Sequence, residues 1–171
     1  IRKVYTGSGQ QISLGDTVVD IGANVGCFSL LAAKQVGAAG RVIAIEPDPQ
    51  TFQKLVANIE LNEADNVHAV CVAIGESDGA AALFRHANPL FSSLQEQVDG
   101  RCGNNQPVTI QLRTLESVFQ DLNITSCQYL KMDCEGSEYA IVRSLSAESA
   151  ARISQITVEL HSVPGESEAE L

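Results

Sequence analysis

Short runs of β-branched residues recur along this chain with helical-period segments between them, and that alternation constrains the fold more than any other feature. Residues 17–21 read as a buried strand, after which Val25, Phe28, Leu31, Ala32 and Val36 fall at helical spacing, with Asn24 as the expected N-cap. Residues 41–46 form a second run. Asp48 then caps a helix that opens with Pro49 and places Phe52, Leu55, Val56 and Ile59 at i, i+3, i+4 and i+7 on one face. Residues 67–74, 128–132 and 156–160 supply three more strands, and a helix is expected from about Ser137. Strands joined through helices run parallel, because a crossover brings the chain back to the same end of the sheet. The fold expected is a doubly wound, mostly parallel α/β sheet in a single domain over residues 1–171.

The middle of the chain departs from this rhythm. Residues 80–84 read as a short strand and 108–112 as a half-exposed one, and Thr114 caps a helix carrying Leu115, Val118, Phe119 and Leu122. The irregular stretch between those strands, which includes Ser92 and Ser93, is long enough to expect a lid or binding element. Tyr5, Tyr129 and Tyr139 are expected to serve packing.

Charge narrows the partners. Twenty-one acidic residues against 11 basic ones give a formal net charge of -10, a field that repels phosphate backbones and anionic lipid. No nucleic-acid or membrane partner is expected, and no apolar run approaches the roughly 20 residues of a membrane span. The five cysteines (Cys27, Cys71, Cys102, Cys127 and Cys134) form no CxxC pair, so reduced thiols in a cytoplasmic protein are expected, without a metal. The chain begins at Ile1 rather than Met, which reads as a fragment of a longer chain.

In an open α/β sheet, ligands bind outside the carboxyl ends of the strands. Asp20 to Asn24, Glu46, Glu76, Asp133 to Glu135, and His161 all fall at such ends. Tested against the dinucleotide fingerprint GxGxxG, the first loop keeps Gly22 but puts Asn24 and Cys27 where the other two glycines belong. It also places the Asp20 carboxylate where a pyrophosphate would have to approach. A ligand carrying an ammonium and a sulfonium suits that charge better, and S-adenosylmethionine has both. Glu46 ends the second strand, where a carboxylate accepts hydrogen bonds from a ribose diol. Two rival readings share these features: an NAD-dependent oxidoreductase, and a binding module that has lost turnover.

The chain resembles the FkbM-type methyltransferases, a class I, Rossmann-like family that uses S-adenosylmethionine. The resemblance rests on Val18-Val19-Asp20-Ile21-Gly22-Ala23-Asn24-Val25-Gly26, on Ile45-Glu46-Pro47-Asp48 with Asn58, and on Val72-Ala73-Ile74-Gly75. It continues through Ser92-Ser93-Leu94, Arg113-Thr114-Leu115-Glu116, Leu130-Lys131-Met132-Asp133-Cys134-Glu135-Gly136-Ser137-Glu138 and Val158-Glu159-Leu160-His161. It implies methyl transfer to a hydroxyl of a small molecule, sugar or secondary metabolite. Such domains usually carry further strands after the position of His161, so the last C-terminal strands are expected to be missing. Donor binding is expected at Asp20, Gly22, Ala23, Asn24, Gly26, Glu46, Pro47 and Asp133, with Ala73 and Ile74 beside the adenine. Asp133, Glu135 and His161 are the catalytic candidates, because a hydroxyl must lose its proton as it attacks. Glu138, in a first helical turn, is expected to be structural.

Overall fold

The structure, a computed structural model, describes residues 11–85, 92–94, 97–98, 101–102 and 107–166. Tyr5, most of the irregular central stretch and the last five residues lie outside the described set. The elements in order are β1 (Thr17–Ile21), α1 (Cys27–Val36), β2 (Arg41–Ile45), α2 (Pro49–Leu61), β3 (Val67–Val70), β4 (Ala73–Ile74), β5 (Gly79–Arg85) and β6 (Ser92–Ser93). They continue as β7 (Gln97–Val98), β8 (Arg101–Cys102), β9 (Val108–Arg113), α3 (Leu115–Asp121), β10 (Tyr129–Met132), α4 (Glu138–Ser144), α5 (Ala147–Ala151) and β11 (Ile156–Val158).

Five strands form one parallel sheet in the order β11-β10-β1-β2-β3. Both of its faces are covered, and the strand residues show why. Val18 and Val42 pack with Ala32, Ala33 and Val36 of α1 on one side. Val19, Ile43 and Leu130 point the other way, onto Val118 and Phe119 of α3 and Ile141 of α4. Such side chains contribute about 1.5–3 kcal/mol each when fully buried, so an all-apolar strand is stable only with helices on both faces.

The remainder corrects the expected single sheet. Residues 67–74, read as one strand, divide at Cys71 and Val72, and Ala73–Ile74 pairs instead with β9. A second, mixed sheet follows in the order β4-β9-β5-β6, with β5 antiparallel to both β9 and β6, and a separate two-stranded ribbon joins β7 to β8. Ala73, Leu83 and Ile110 form the second sheet's own small core. An alternation of apolar residues does not distinguish one long strand from two short ones that change sheets.

The cap of α1 is also corrected. The helix starts at Cys27 after Gly26, which holds φ 90°, while Asn24 sits earlier in the turn at φ 53° with its Oδ1 accepting from Val25 N at 2.8 Å. Asp48 caps α2 through Gln50 N, with Pro49 at the first helical position, and Thr114 caps α3 through Ser117 N, both as expected.

Candidate functional site

The chain runs outward from β1 through β2 to β3 and then returns to β10 and β11 on the other side of β1. The strand order therefore reverses beside β1, and the carboxyl ends of β1, β2 and β10 surround that point. Gly22 makes the turn out of β1 with φ +78°, and a Cβ there would lie 1.8 Å from the Asp133 carbonyl oxygen. A hydrogen is the largest group that fits, so glycine is what allows the ends of β1 and β10 to touch. Gly26, at φ +90°, faces Leu55 Cδ1, which a Cβ would approach to 2.7 Å.

Glu46 is nearly buried and ties the two loops at this end of the sheet. Its Oε2 accepts from Asn24 N and its Oε1 from Asp48 N, each at 2.9 Å. Burial pushes its carboxyl from the ordinary 4.5 to about 7, against the lowering effect of those two amides; Asp48 and Asp20 add repulsion. Asp48 is itself held by a fork of two hydrogen bonds from Arg85, Nε to Oδ2 at 2.8 Å and Nη2 to Oδ1 at 2.6 Å. Burial alone would raise the Asp48 carboxyl, but Arg85 and Gln50 N outweigh it and hold the group below its ordinary value. Asn58 of α2 donates to Val25 O at 2.8 Å and braces the β1–α1 loop from the other side.

Asp20 lies deeper than its place in the motif suggested. It is 0% exposed, with Oδ2 accepting from Ser29 Oγ at 2.6 Å and Oδ1 facing Lys131 Nζ at 3.3 Å. Lys131 stands opposite Asp20 in the β1–β10 register, is 4% exposed, lies over the Phe28 ring and also reaches Asp133 Oδ2 at 3.3 Å. The charge of Asp20 is thus met inside the protein by an ammonium that Asp20 and Asp133 share. The sequence reading considered Asp20 alone and missed its partner. A lysine in the middle of an otherwise apolar strand was the available signal, since a buried ammonium needs a counter-charge on a neighbouring strand.

At the end of β10 the acidic segment is tightly built. Glu138, 0% exposed, accepts from Cys134 N and Gly136 N at 2.9 Å each and pairs with His161 Nδ1 at 2.9 Å. This is the structural role expected of it. His161 Nε2 faces Glu135 Oε2 at 3.6 Å and Asp133 Oδ1 at 3.9 Å. The Glu138 hydrogen bond, supported by the charges of Glu135 and Asp133, lifts the imidazole from 6.5 to about 9 despite partial burial. These contacts favour the protonated ring, the form that has no lone pair for a general base to use. Asp133, Glu159 and His161 also bring ligand atoms within 4.8 Å of one another, so this corner could accept a cation after the imidazolium lost its proton. Glu135 holds φ 53°, and its carbonyl accepts from Ser93 Oγ of the second sheet. Burial pushes the Cys134 thiol well above its ordinary range, which leaves it unsuited to nucleophilic work.

Gly22, Pro47, Ala73 and Ile74 meet around one narrow space with a cavity volume of about 20 Å³, together with Cys134 and with Ser92 and Leu94 of the central segment. Arg85 and Ser29 join the site without having been singled out in the sequence. Arg85 in particular ends a strand of the second sheet, and nothing local marks it as a partner of Asp48. No helix among the described residues is long and apolar enough to cross a membrane.

Several known proteins are similar to this chain. A Streptomyces tacrolimicus protein, 31-O-demethyl-FK506 methyltransferase FkbM, is 25% identical over 95% of this chain and 72% of its own length. Methyltransferase 1 of Beauveria bassiana is 26% identical over 84% of this chain and 64% of its own, and AMB antimetabolite synthetase AmbE of Pseudomonas aeruginosa is 26% identical over 94% and 9%. The chain thus spans just under two thirds of one of these proteins and under a tenth of another. Among solved structures, methyltransferase FkbM from Methylobacillus flagellatus superposes with a TM-score of 0.55 at 22% identity, over 83% of this chain and 32% of that one. The methyltransferase FkbM domain profile matches residues 20–171, all of the chain from the middle of β1 onward, and the chain belongs to that family.

Proposed function

We propose that this domain binds S-adenosylmethionine at the β1–α1 turn and transfers the methyl group to a hydroxyl of a small molecule or saccharide. One observation carries the reading. Glu46 is pinned by amides of two loops at the end of β2, and its neighbour in sequence, Pro47, lines one narrow space with Gly22, Ala73, Ile74 and Cys134. The residues fit the donor. A carboxylate with two oxygens, each already holding one amide, retains acceptor capacity for a ribose diol. Glycine, proline, alanine and isoleucine give this narrow space apolar walls of the kind a purine packs against. Ala23, Asn24 and Gly26 shape the turn that the rest of the donor would follow. The carboxylates of Asp133 and Glu135 after β10 suit the ammonium and sulfonium of the donor.

When bound, the donor supplies an electrophilic methyl on sulfur. The chain's residues do the rest. Methyl transfer is an in-line displacement, so most of what the protein contributes is orientation of donor and acceptor. Asp133, fixed by Lys131, or Glu135, fixed through its carbonyl by Ser93, takes the proton of the acceptor hydroxyl. His161 serves this step as a cation that holds the two carboxylates side by side. The acidic rim suits a neutral or cationic acceptor and disfavours nucleic acid. Support for oxygen as the accepting atom comes from the relative whose name specifies a 31-O-demethyl substrate.

The test is incorporation of labelled methyl from S-adenosylmethionine into a panel of hydroxylated small molecules and saccharides. Label is expected in an acceptor oxygen, with loss of incorporation in Asp133→Asn or Glu135→Gln. Label on nitrogen or carbon, or full incorporation by the double variant, would overturn this assignment.

A further inference from the structure

We infer that Arg85, on the second sheet, is a positioning residue for the methyl-donor site and acts on the ribose-binding Glu46 through Asp48. The inference rests on the donor reading above and adds a residue to it.

Three contacts make the chain of influence. Arg85 grips both oxygens of Asp48 in a planar fork. Asp48 N donates to Glu46 Oε1, and Asp48 Oδ1 caps α2 through Gln50 N. Glu46 Oε2 takes Asn24 N from the donor loop. Arg85 thus fixes the one residue whose backbone orients Glu46 from the α2 side. A bidentate guanidinium defines both distance and plane, which a point charge does not. The second sheet is thereby anchored to the carboxyl end of β2, rather than merely packed beside it.

The fork also sets the local charge. The groups facing Glu46 are Asp20 from β1, Asn24 from the β1–α1 loop, Asp48 at the head of α2 and Cys71 after β3. Two of these four are carboxylates, and the Cys71 thiol is pushed above its ordinary value by burial and by Glu46 and Asp48. Lys131 is the cation on Asp20 and Arg85 the cation on Asp48, the carboxylate whose backbone amide Glu46 holds. Without Arg85, the charge on Asp48 would act uncompensated on Glu46 and favour the protonated carboxyl there. A protonated Glu46 is the weaker acceptor for ribose hydroxyls, because hydrogen bonds to ionised acceptors are about twice as strong as neutral ones. A residue of merely structural importance would weaken donor binding equally at every pH. Arg85 should weaken it chiefly on the acid side.

The experiment uses S-adenosylhomocysteine as the probe, with the full chain, and measures its affinity by calorimetry between about pH 6 and pH 9. A rise of one unit in the Glu46 midpoint lowers its ionised fraction about tenfold below both midpoints and leaves it unchanged above them. Arg85→Met is therefore expected to bind the probe about tenfold more weakly than the unsubstituted protein at the acid end and about equally at the alkaline end. Arg85→Lys should recover part of the acid-side loss, since it restores the charge without the fork. Arg85→Met/Asp48→Asn removes both charges, so its acid-side loss should shrink to the size of its alkaline-side loss. The double variant also serves as the test protein if Arg85→Met alone fails to fold. A loss in Arg85→Met that is the same at all pH values, or no loss, overturns the inference while leaving the donor reading intact. A pH-dependent loss that persists undiminished in the double variant overturns it as well. Failure of the unsubstituted protein to bind the probe would instead overturn the donor reading and the inference together.

Discussion

Replacing Gly22 by alanine puts the geometry of the site to a quantitative test. Two penalties are distinct. The residue holds φ +78°, and the left-handed region costs a residue with a Cβ about 1–2 kcal/mol. The added Cβ would also stand 1.8 Å from the Asp133 carbonyl oxygen and 2.7 Å from its carbon. These are backbone atoms, so relief requires the end of β10 to move away from β1, and overpacking of this kind costs about 1–3 kcal/mol more. The total expected is about 2–5 kcal/mol. Gly15 provides the internal control: it holds φ +86° but has nothing within 4 Å of its ideal Cβ. Gly15→Ala should therefore show the conformational penalty alone. Urea unfolding of both variants, followed by circular dichroism, gives the two stabilities from midpoint and slope. Gly22→Ala is expected to be the less stable by about 1–3 kcal/mol, with weakened binding of S-adenosylhomocysteine. Equal destabilisation of the two variants would refute the close approach of β1 and β10 on which the site depends.

Three further outcomes follow from the buried charges. Lys131→Met leaves Asp20 buried without its cation and should cost about 3–5 kcal/mol, most of it recovered in Asp20→Asn/Lys131→Met; no recovery in urea unfolding would break the assigned pair. Glu46, raised from 4.5 to about 7, binds its proton more tightly folded than unfolded, so the ligand-free protein should lose about 3 kcal/mol as pH rises from about 4.5 through 7. Glu46→Gln should flatten that part of the stability profile, and an unchanged profile would contradict the placement. His161, raised to about 9 by Glu138, contributes stability that is fully present below its ordinary 6.5 and lost as pH rises through 9. Its ring resonances in an NMR titration should move near pH 9 and shift acidward in Glu138→Gln; a midpoint at the ordinary value would restore the ring as a candidate base.

Much of this was legible in the sequence where chemistry is local. The runs that became β1, β2 and β10 are strongly β-branched or apolar, and a strand buried on both faces needs little more to identify it. Asp48-Pro49 specifies a helix start through one side chain and one ring. Gly22 and Glu46 are recognisable because a tight turn and a strand-end carboxylate each restrict the residue type. Other features depend on contacts distant in sequence. The break after Val70 is visible only once β9 is known to wait for Ala73–Ile74. Asp20 reads as a ligand-facing carboxylate until Lys131, 111 positions later, is placed opposite it in register. His161 reads as a base until Glu138 is seen at its Nδ1. Arg85 has no local signature because its partner sits on another sheet. In each instance the residue type was informative, but its protonation or orientation came from a partner that the chain brings in late.

The most direct test of the central claim, that the β1–α1 turn and Glu46 form a methyl-donor site, is thermal unfolding of the full chain titrated in parallel with S-adenosylhomocysteine and with NADH. A ligand that binds the folded state alone adds about 2.7 kcal/mol at a concentration about 100 times its Kd, which gives a readable rise in midpoint. S-adenosylhomocysteine is expected to raise the midpoint with concentration, the effect being reduced in Glu46→Gln, while NADH leaves it unchanged. Stabilisation by NADH without stabilisation by S-adenosylhomocysteine would contradict the account.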